Sequence, residues 1–375
     1  MADSFWLSEE APPLPVRRIE GRPDVVVIGG GVTGCACALV LAEAGLGVRV
    51  HEAREVASGA SGRNGGFGLW GGAMPYDIAR SQLGPERARA LWQLTERYVD
   101  RMESLAGDAF RRVGSLRVAA DPEEREEIRA EYEALRADGF EAEWLDELPR
   151  PLADRFHGGM RHPGDGSIHP ARWVRRLAAR AAEAGAEIRE RSRVESLDEL
   201  DAVHVVIATD GYTRGLVPAL DAAILPTRGQ VLATEPLSEV LFLCSVYARH
   251  GYDYWQQTPD RRLVIGGRRD KTPDFEHTPV EETTALVQGE LDAFVRELLG
   301  ELPPVAQRWS GIFGTTEDRL PLVGPVPDRE GLWVAAGYSG HGNVMGLACG
   351  ELVANAILGE PAPELELFDP ARLVA

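Results

Sequence analysis

The pattern of apolar and polar positions near the start of the chain predicts a βαβ unit. Val25–Ile28 is a continuous apolar run, typical of a parallel strand buried on both faces. Residues 32–44 have the composition of a helix that ends at Gly45, and Val48–His51 predicts a second strand. We interpret the segment that precedes this unit, residues 1–23, as an arm that packs across the body of the protein.

The rest of the chain predicts further α/β structure and a second sheet. Residues 57–72 are mostly Gly, Ala and Ser, which predicts a loop whose backbone can approach a flat ligand closely. Aromatic and β-branched residues broken by turn signals predict an antiparallel sheet at 225–265, a candidate substrate domain. Periodicity also predicts helices at 85–105, 122–137, 169–184, 280–299 and 344–358, and strands at 187–191, 203–208 and 332–336.

Size and charge narrow the possible functions. A chain of 375 residues exceeds the length at which one core keeps growing, so we expect two domains. The net charge of −19 disfavours a nucleic acid or an anionic membrane as a partner. The first 23 residues lack the apolar core of a secretory signal and no apolar run could span a bilayer, so we expect a cytoplasmic protein.

Two residue types restrict the chemistry. The four cysteines, Cys35, Cys37, Cys244 and Cys349, form neither a disulfide framework nor a zinc pattern, so we expect a reducing compartment and no metal. Lys271 is the only lysine, so any mechanism that needs an active-site lysine has a single candidate.

A dinucleotide site is predicted at the first turn of the βαβ unit. The segment 29–34, GGGVTG, fits G-x-G-x-x-G and lies between a predicted strand and helix. Gly29 permits the tight turn, Gly31 lets a pyrophosphate reach backbone N–H groups, and Gly34 allows close packing of helix and strand. Glu52 ends the second strand, where a carboxylate accepts ribose hydroxyls and repels a 2′-phosphate. The glycines alone would equally fit a turn without a ligand.

These patterns together resemble the D-amino acid oxidase superfamily of flavoproteins, and more closely its γ-glutamylputrescine oxidase branch. The resemblance spans nearly the whole chain, and GASGRNGG and GYSGHG are its most specific motifs. It is carried by DVVVIGGGVTGCACALVLAEAG (24–45), GASGRNGG (59–66), DGSIHP (165–170), RWSGIF (308–313) and GYSGHG (337–342).

The resemblance implies a fold and a reaction. The fold would be α/β (α+β) of the D-amino acid oxidase type, with a Rossmann-like FAD-binding domain and a substrate domain on a mixed or antiparallel sheet. We assign 24–80, 150–220 and 308–375 to the FAD-binding domain, and 81–149 and 221–307 to the substrate domain. The reaction would be oxidation of a C–N bond by hydride transfer to flavin N5, followed by hydrolysis of the imine.

The resemblance also implies which residues hold FAD. Non-covalent binding is expected, because no cysteine lies near Gly311 and no histidine interrupts GASGRNGG. A helix beginning near Val344 would direct N–H groups and its positive dipole end to the flavin. Arg63 could instead be a surface charge. The expected cofactor-binding residues are Gly29, Gly31, Val32, Thr33, Gly34, Glu52, Ala53, Ser61, Arg63, Asn64, Gly65, Gly66, Val194, Thr209, Gly211, Gly311, Gly340, His341, Gly342, Asn343 and Val344.

Departures from the wider superfamily bear on the substrate. Relatives that oxidise small amino acids place a carboxylate-binding arginine where this chain has Phe313. Members similar to sarcosine oxidase have lysines at the positions of Val344 and near Val264, the latter implicated in oxygen activation. We therefore expect an amine substrate rather than a free small amino acid, and either oxygen or another electron acceptor.

Aromatic residues are the candidate walls of the substrate pocket. Hydride transfer requires a neutral amine held in a pocket that excludes water. We assign Tyr254 and Phe313 to that pocket, with Tyr252 and Trp255 as neighbours, although such aromatics equally fit a core. His341 either holds a proton near the flavin or fixes its glycine-rich turn.

The main hypothesis is an FAD-dependent oxidase or dehydrogenase of a primary or secondary amine, including polyamine-derived amines. One alternative is an oxidase of glycine, sarcosine or D-amino acids that binds the carboxylate with another arginine, such as Arg63 or Arg249. A second alternative is a flavin-binding subunit without turnover of its own. The patterns do not predict an oligomeric state.

Overall fold

A computed structural model describes residues 4–374 of the protein. None of the helices in that range is long and apolar enough to cross a membrane. The strands are β1 (Val25–Ile28), β2 (Val48–His51), β3 (Phe67–Gly68), β4 (Phe110–Arg111), β5 (Ser115–Val118), β6 (Glu143–Leu145), β7 (Gly159–His162), β8 (Gly166–Ile168), β9 (Glu187–Arg189), β10 (His204–Ile207), β11 (Leu225–Thr234), β12 (Ser245–Ala248), β13 (Asp253–Gln257), β14 (Leu263–Gly267), β15 (Val305–Thr315), β16 (Leu322–Pro325) and β17 (Leu332–Ala336). The α-helices are α1 (Val32–Glu43), α2 (Tyr76–Leu83), α3 (Pro85–Ala106), α4 (Pro122–Ala137), α5 (Pro170–Ala184), α6 (Pro218–Ala223), α7 (Pro273–Glu276), α8 (Ala285–Leu299) and α9 (Val344–Ile357).

The first sheet confirms the predicted βαβ unit. It has six strands in the order β16-β17-β10-β1-β2-β9, and β1 pairs in parallel with both β2 and β10. All four residues of β1 are buried, as its apolar run predicts for a strand covered on both faces. Helices α1, α5 and α9 pack together beside this sheet. Only the edge strand β16 runs antiparallel to its neighbour.

The second sheet is mixed, as predicted. Its eight strands have the order β15-β11-β14-β13-β12-β5-β7-β6. The pairing of β12 with β5 is parallel and the other pairings are antiparallel. Helix α8 packs against it around Trp255, which is fully buried. A third, small sheet has the order β3-β8-β4 and is antiparallel.

Two strands that were assigned mainly to the FAD-binding domain belong to the eight-stranded sheet. β7 and β15 belong to the eight-stranded sheet, although their residues lie mainly in segments assigned to the FAD-binding domain. β15 pairs with β11 along the whole of Leu225–Thr234. This pairing places β15 in the eight-stranded sheet, although the motif RWSGIF that β15 carries had been assigned to the FAD-binding domain. The domain boundaries therefore stay a prediction.

The N-terminal arm packs against the glycine-rich loop. The described part of the arm begins at Ser4, and the first three residues lie outside the described range. A short 3-10 helix, Phe5–Ser8, places Trp6 in the core at 1% exposure. The Ser4 hydroxyl donates to the backbone oxygen of Gly62 at 2.7 Å.

Candidate active site

One large cavity gathers nearly all predicted site residues. Its volume is about 2080 Å³, and it is lined from both large sheets. Tyr254, Phe313 and His341 lie on its wall, as do all predicted cofactor-binding residues except Gly34 and Gly66. The cavity therefore brings together segments that are far apart in the sequence.

The start of α1 presents backbone donors to this cavity. Gly29 has a φ of +111° and lies where β1 turns toward the helix, a conformation that favours glycine. The N–H groups of Gly31 and Thr33 have no hydrogen-bond partner within residues 4–374. Gly34 faces away from the cavity, and a side chain there would collide with the Gly29 carbonyl. Its role is close packing, as predicted, rather than ligand contact.

Glu52 is held at the edge of the cavity by backbone groups. Its Oε2 accepts from the N–H of Gly30 at 2.8 Å, and its Oε1 accepts from the N–H of Arg54 at 2.8 Å. Each carboxylate oxygen has a further lone pair available. The carboxylate is thus oriented to accept hydroxyl hydrogens from a ribose.

Asn64 and Asn343 bind one another across the cavity wall. The two amide groups exchange hydrogen bonds of 3.1 Å in both directions. Asn343 also donates to the Phe67 carbonyl at 2.8 Å, so these contacts fasten the glycine-rich loop to the start of α9. Gly66 packs behind the wall against the amide of Gln256 and is not among the residues that line the cavity, so its contact with the cofactor stays a prediction.

Arg63 is buried rather than exposed. Only 3% of its surface is accessible, and its Nε lies 3.2 Å from Glu281 Oε1. It also donates to the carbonyls of Ser58 at 2.8 Å and Ser310 at 3.2 Å. The alternative of a surface charge is wrong for Arg63. Its contacts position the loop on β15.

Asp210 joins β15 to the glycine-rich turn before α9. Its two carboxylate oxygens accept the N–H groups of Gly314 and Gly337, each at 2.9 Å. A Cβ on Gly211 would lie 2.7 Å from the backbone of Phe313, so glycine permits close approach to β15 there. Burial raises the pKa of Asp210 despite these donors. The sequence analysis assigned the neighbouring residues Thr209 and Gly211 to the site but did not predict this bridging role of Asp210.

Tyr254 forms the central aromatic wall. It lies opposite Gly266 on β14, and its ring meets Phe67 edge-on with the ring centres 6.0 Å apart. A Cβ on Gly65 would approach the Tyr254 ring to 2.8 Å, so glycine lets the loop lie directly on that ring. Trp255 points to the opposite face of β13 and packs against Phe294. The prediction that Trp255 neighbours the pocket is therefore wrong, because successive strand residues face opposite sides.

Arg269 is a site residue that the sequence analysis missed. Its guanidinium carbon lies 4.5 Å from the centre of the Tyr252 ring and 5.7 Å from that of Phe313. All three residues line the cavity. No hydrogen bond or ion pair joins the Arg269 side chain to another residue in the described range. The signal in the sequence was the pair of arginines directly after β14, since residues at strand ends commonly face sites.

The arginines that the sequence suggested for a carboxylate are already paired. Arg63 contacts Glu281, as described above. Arg249 lies 3.0 Å from Asp253 and 2.7 Å from Asp270, and it does not line the cavity. Arg269, by contrast, lines the cavity beside Tyr252 and Phe313.

His341 lies in the turn before α9. Burial lowers its pKa to about 4, and the charge of Arg269 contributes in the same direction. The ring is therefore neutral at physiological pH.

Lys271 is exposed and lies outside the cavity, while Val264 is buried in the core.

Comparison with known proteins shows which family the chain belongs to. The DAO family model, described as FAD-dependent oxidoreductase, matches residues 24–356. The chain belongs to the DAO family of FAD-dependent oxidoreductases. Enzymes of this DAO family act on the C–N bonds of amines or amino acids, and so does this chain.

Individual relatives of this DAO-family chain differ in their substrates. Probable oxidoreductase OrdL of Rhizobium meliloti (strain 1021) is 29% identical, over 98% of this chain and 90% of its own. Gamma-glutamylputrescine oxidoreductase of Escherichia coli (strain K12) is 30% identical, over 90% and 84%. The solved structure of glycine oxidase from Geobacillus kaustophilus matches with a TM-score of 0.80 at 26% identity, over 94% of this chain and 100% of that one.

The residues present in this DAO-family cavity fit FAD. The free N–H groups at the start of α1 suit a pyrophosphate, and the oriented Glu52 carboxylate suits a ribose. Asn343 and Val344 place the start of α9 on the cavity wall, where its N–H groups suit the electron-rich edge of the flavin. The chain therefore offers partners to the pyrophosphate, to a ribose and to one edge of the flavin.

Proposed function

We propose that this enzyme oxidises the C–N bond of an amine that carries a carboxylate. The observation that supports this proposal is Arg269, whose guanidinium has no anionic partner of its own in the described range. A charge in a partly buried site is costly unless it is paired, and a guanidinium pairs well with a carboxylate. A carboxylate next to the reacting C–N bond would supply that partner.

The proposal revises the expectation that was based on Phe313. We expected a substrate without a carboxylate because Phe313 stands where relatives have an arginine. Arg269 lies over that ring, so the pocket has an arginine that comes from the short 3-10 helix after β14. The relatives include a glycine oxidase and a γ-glutamylputrescine oxidoreductase. Of these two, Arg269 favours a substrate like that of glycine oxidase, in which the carboxylate lies next to the reacting C–N bond.

The chain's own residues bind and shield the substrate. Bound FAD would accept a hydride from the carbon next to nitrogen, after which the imine hydrolyses to a carbonyl compound and ammonia or an amine. Tyr254 and Phe313 confine the amine and exclude water. Arg269 orients the carboxylate. His341, whose pKa is lowered to about 4, is too weak a base to take the ammonium proton, so we assign it to fixing the turn.

We also propose non-covalent FAD, because none of the four cysteines lines the cavity. Denaturation with acid would then release all of the flavin from the protein. Flavin that stays with the precipitated chain would contradict this part of the proposal.

An anaerobic comparison of two matched amines tests the proposed function. N-methylglycine and N-methylethylamine differ only in that a carboxylate replaces a methyl group. We expect N-methylglycine, and not N-methylethylamine, to bleach the flavin absorbance. Equal bleaching, or bleaching by the amine without a carboxylate alone, would overturn the proposal. Readmission of oxygen then distinguishes an oxidase, which reoxidises within the turnover time, from a dehydrogenase.

A further inference from the structure

The cavity continues beyond Tyr254 along one row of the eight-stranded sheet. Tyr254 lies opposite Tyr247 on β12, and Tyr247 lies opposite Arg117 on β5. All three side chains line the same cavity. Because neighbouring strands are about 4.8 Å apart, Arg117 lies roughly 10 Å from Tyr254 across the sheet. A substrate as small as glycine cannot span that distance.

The far end of this row has polar groups without partners. The Tyr247 hydroxyl has no hydrogen-bond partner within residues 4–374, and its side chain is only partly buried. Arg117 is 6% exposed and forms an ion pair with Glu131, but its Nε has no partner. His162 Nδ1 is also without a partner, and burial lowers the pKa of His162 to about 3, so its ring is neutral.

The cavity opens to solvent next to these groups. Ile78 on α2 and Ala130 on α4 both line the cavity and are both exposed. Trp70 forms part of the wall, with its ring edge-on to His162 at 5.4 Å between the ring centres. An extended chain that starts at Tyr254 therefore has room to pass Tyr247 and to reach the opening.

We propose that Tyr247 and Arg117 form a distal subsite for the far end of an extended substrate. This inference rests on the function proposed above, and it adds that the substrate ends in an uncharged amide-like group. Tyr247 and Arg117 donate hydrogen bonds, and Glu131 accepts them. Since Glu131 already balances the charge of Arg117, the subsite favours a neutral group that both donates and accepts.

The acidic residues around the opening also favour a substrate whose far end is not anionic. Glu126 and Glu127 line the cavity there, together with Asp77. These carboxylates disfavour a second anionic group at the far end of the substrate. The carboxylate of the substrate therefore belongs at Arg269, and its amide belongs at Tyr247.

Unreactive ethers test the subsite by binding to the FAD-loaded enzyme. We would measure by calorimetry the Kd of methoxyacetate, and of two alkoxyacetates of equal length that end in a methyl group or a carboxamide. We expect the carboxamide probe to bind about 5-fold more tightly than its methyl-ended partner, the size expected of one hydrogen bond. Tyr247→Phe should lower that ratio, because it removes one of the two proposed donors. Tyr132→Phe, a tyrosine on α4 that does not line the cavity, should leave it unchanged.

The outcomes separate this inference from the proposed function. Equal Kd values for the two long probes, or a ratio that Tyr247→Phe leaves intact, would overturn the distal subsite alone if methoxyacetate still binds. Failure of every carboxylate probe to bind would overturn the proposed function, and the inference with it.

Discussion

The indole Nε1 of Trp6 donates a hydrogen bond of 2.8 Å to the backbone carbonyl of Asn64. This contact joins the N-terminal arm to the loop that faces the cofactor cavity. It lies beside the hydrogen bond between Ser4 and Gly62, so the arm supports the loop at two points. The arm is thereby a structural part of the predicted FAD site.

Removal of Trp6 should weaken both the fold and the loop. We expect Trp6→Ala to lower the free energy of unfolding by about 3 to 5 kcal/mol, because a large buried side chain is lost. Trp6→Phe keeps most of the apolar contact and loses the hydrogen bond to Asn64, so it should cost about 1 kcal/mol. Urea unfolding measures both values. Equal effects of the two variants would contradict this division, because they would mean that the apolar contact of the Trp6 ring contributes nothing beyond the hydrogen bond to Asn64.

A methyl group at Gly34 should damage the predicted nucleotide turn. Gly34→Ala would force its Cβ against the Gly29 carbonyl, at a cost of about 3 kcal/mol if the turn adjusts. We expect the purified variant to hold less flavin per chain, measured from the ratio of flavin to protein absorbance. Gly164→Ala is the matched control, since nothing lies within 4 Å of its Cβ. A normal flavin content in Gly34→Ala would refute the packing role.

Acid should destabilise the protein through His341. Burial lowers the pKa of His341 to about 4, whereas an unfolded histidine titrates near 6.5. The unfolded state therefore binds more protons between these values, and stability falls as pH decreases from 6.5 to about 4. The expected slope is about 1.4 kcal/mol per pH unit for this group. His341→Asn should reduce the slope measured by urea unfolding at several pH values, while His157→Asn, at an exposed position, should not.

The sequence predicted the nucleotide end of the cavity better than the substrate end. β1, β2 and β17 have the predicted bounds, because continuous apolar runs and glycine motifs are local signals. The face of β13 was not predictable in the same way, since Tyr254 and Trp255 are both aromatic and only the sheet decides which one lines the cavity. Tyr247 lies beside Arg117 because β12 pairs in parallel with β5. These strands are far apart in the sequence, so the local sequence pattern does not predict their pairing.

Arg269 was missed for the same physical reason. The expectation about the substrate compared one position, Phe313, with an arginine in relatives. The structure places Arg269, in the short 3-10 helix after β14, 5.7 Å from the centre of the Phe313 ring, so a positive charge lies beside that position although residue 313 itself is apolar. Position in the sequence therefore did not reveal the charge of the pocket.

Loss of the Arg269 charge should lower the affinity of the enzyme for carboxylates. We expect Arg269→Met to raise the Kd of methoxyacetate about 10- to 100-fold, the range for a hydrogen-bonded charge pair. The stacked methylene chain is largely kept, so the free energy of unfolding should change little. Arg329→Met, at an exposed arginine outside the cavity, is the control. If Arg269→Met binds methoxyacetate as tightly as the unaltered enzyme, the carboxylate is held elsewhere, and Arg269 serves only to cover Tyr252 and Phe313.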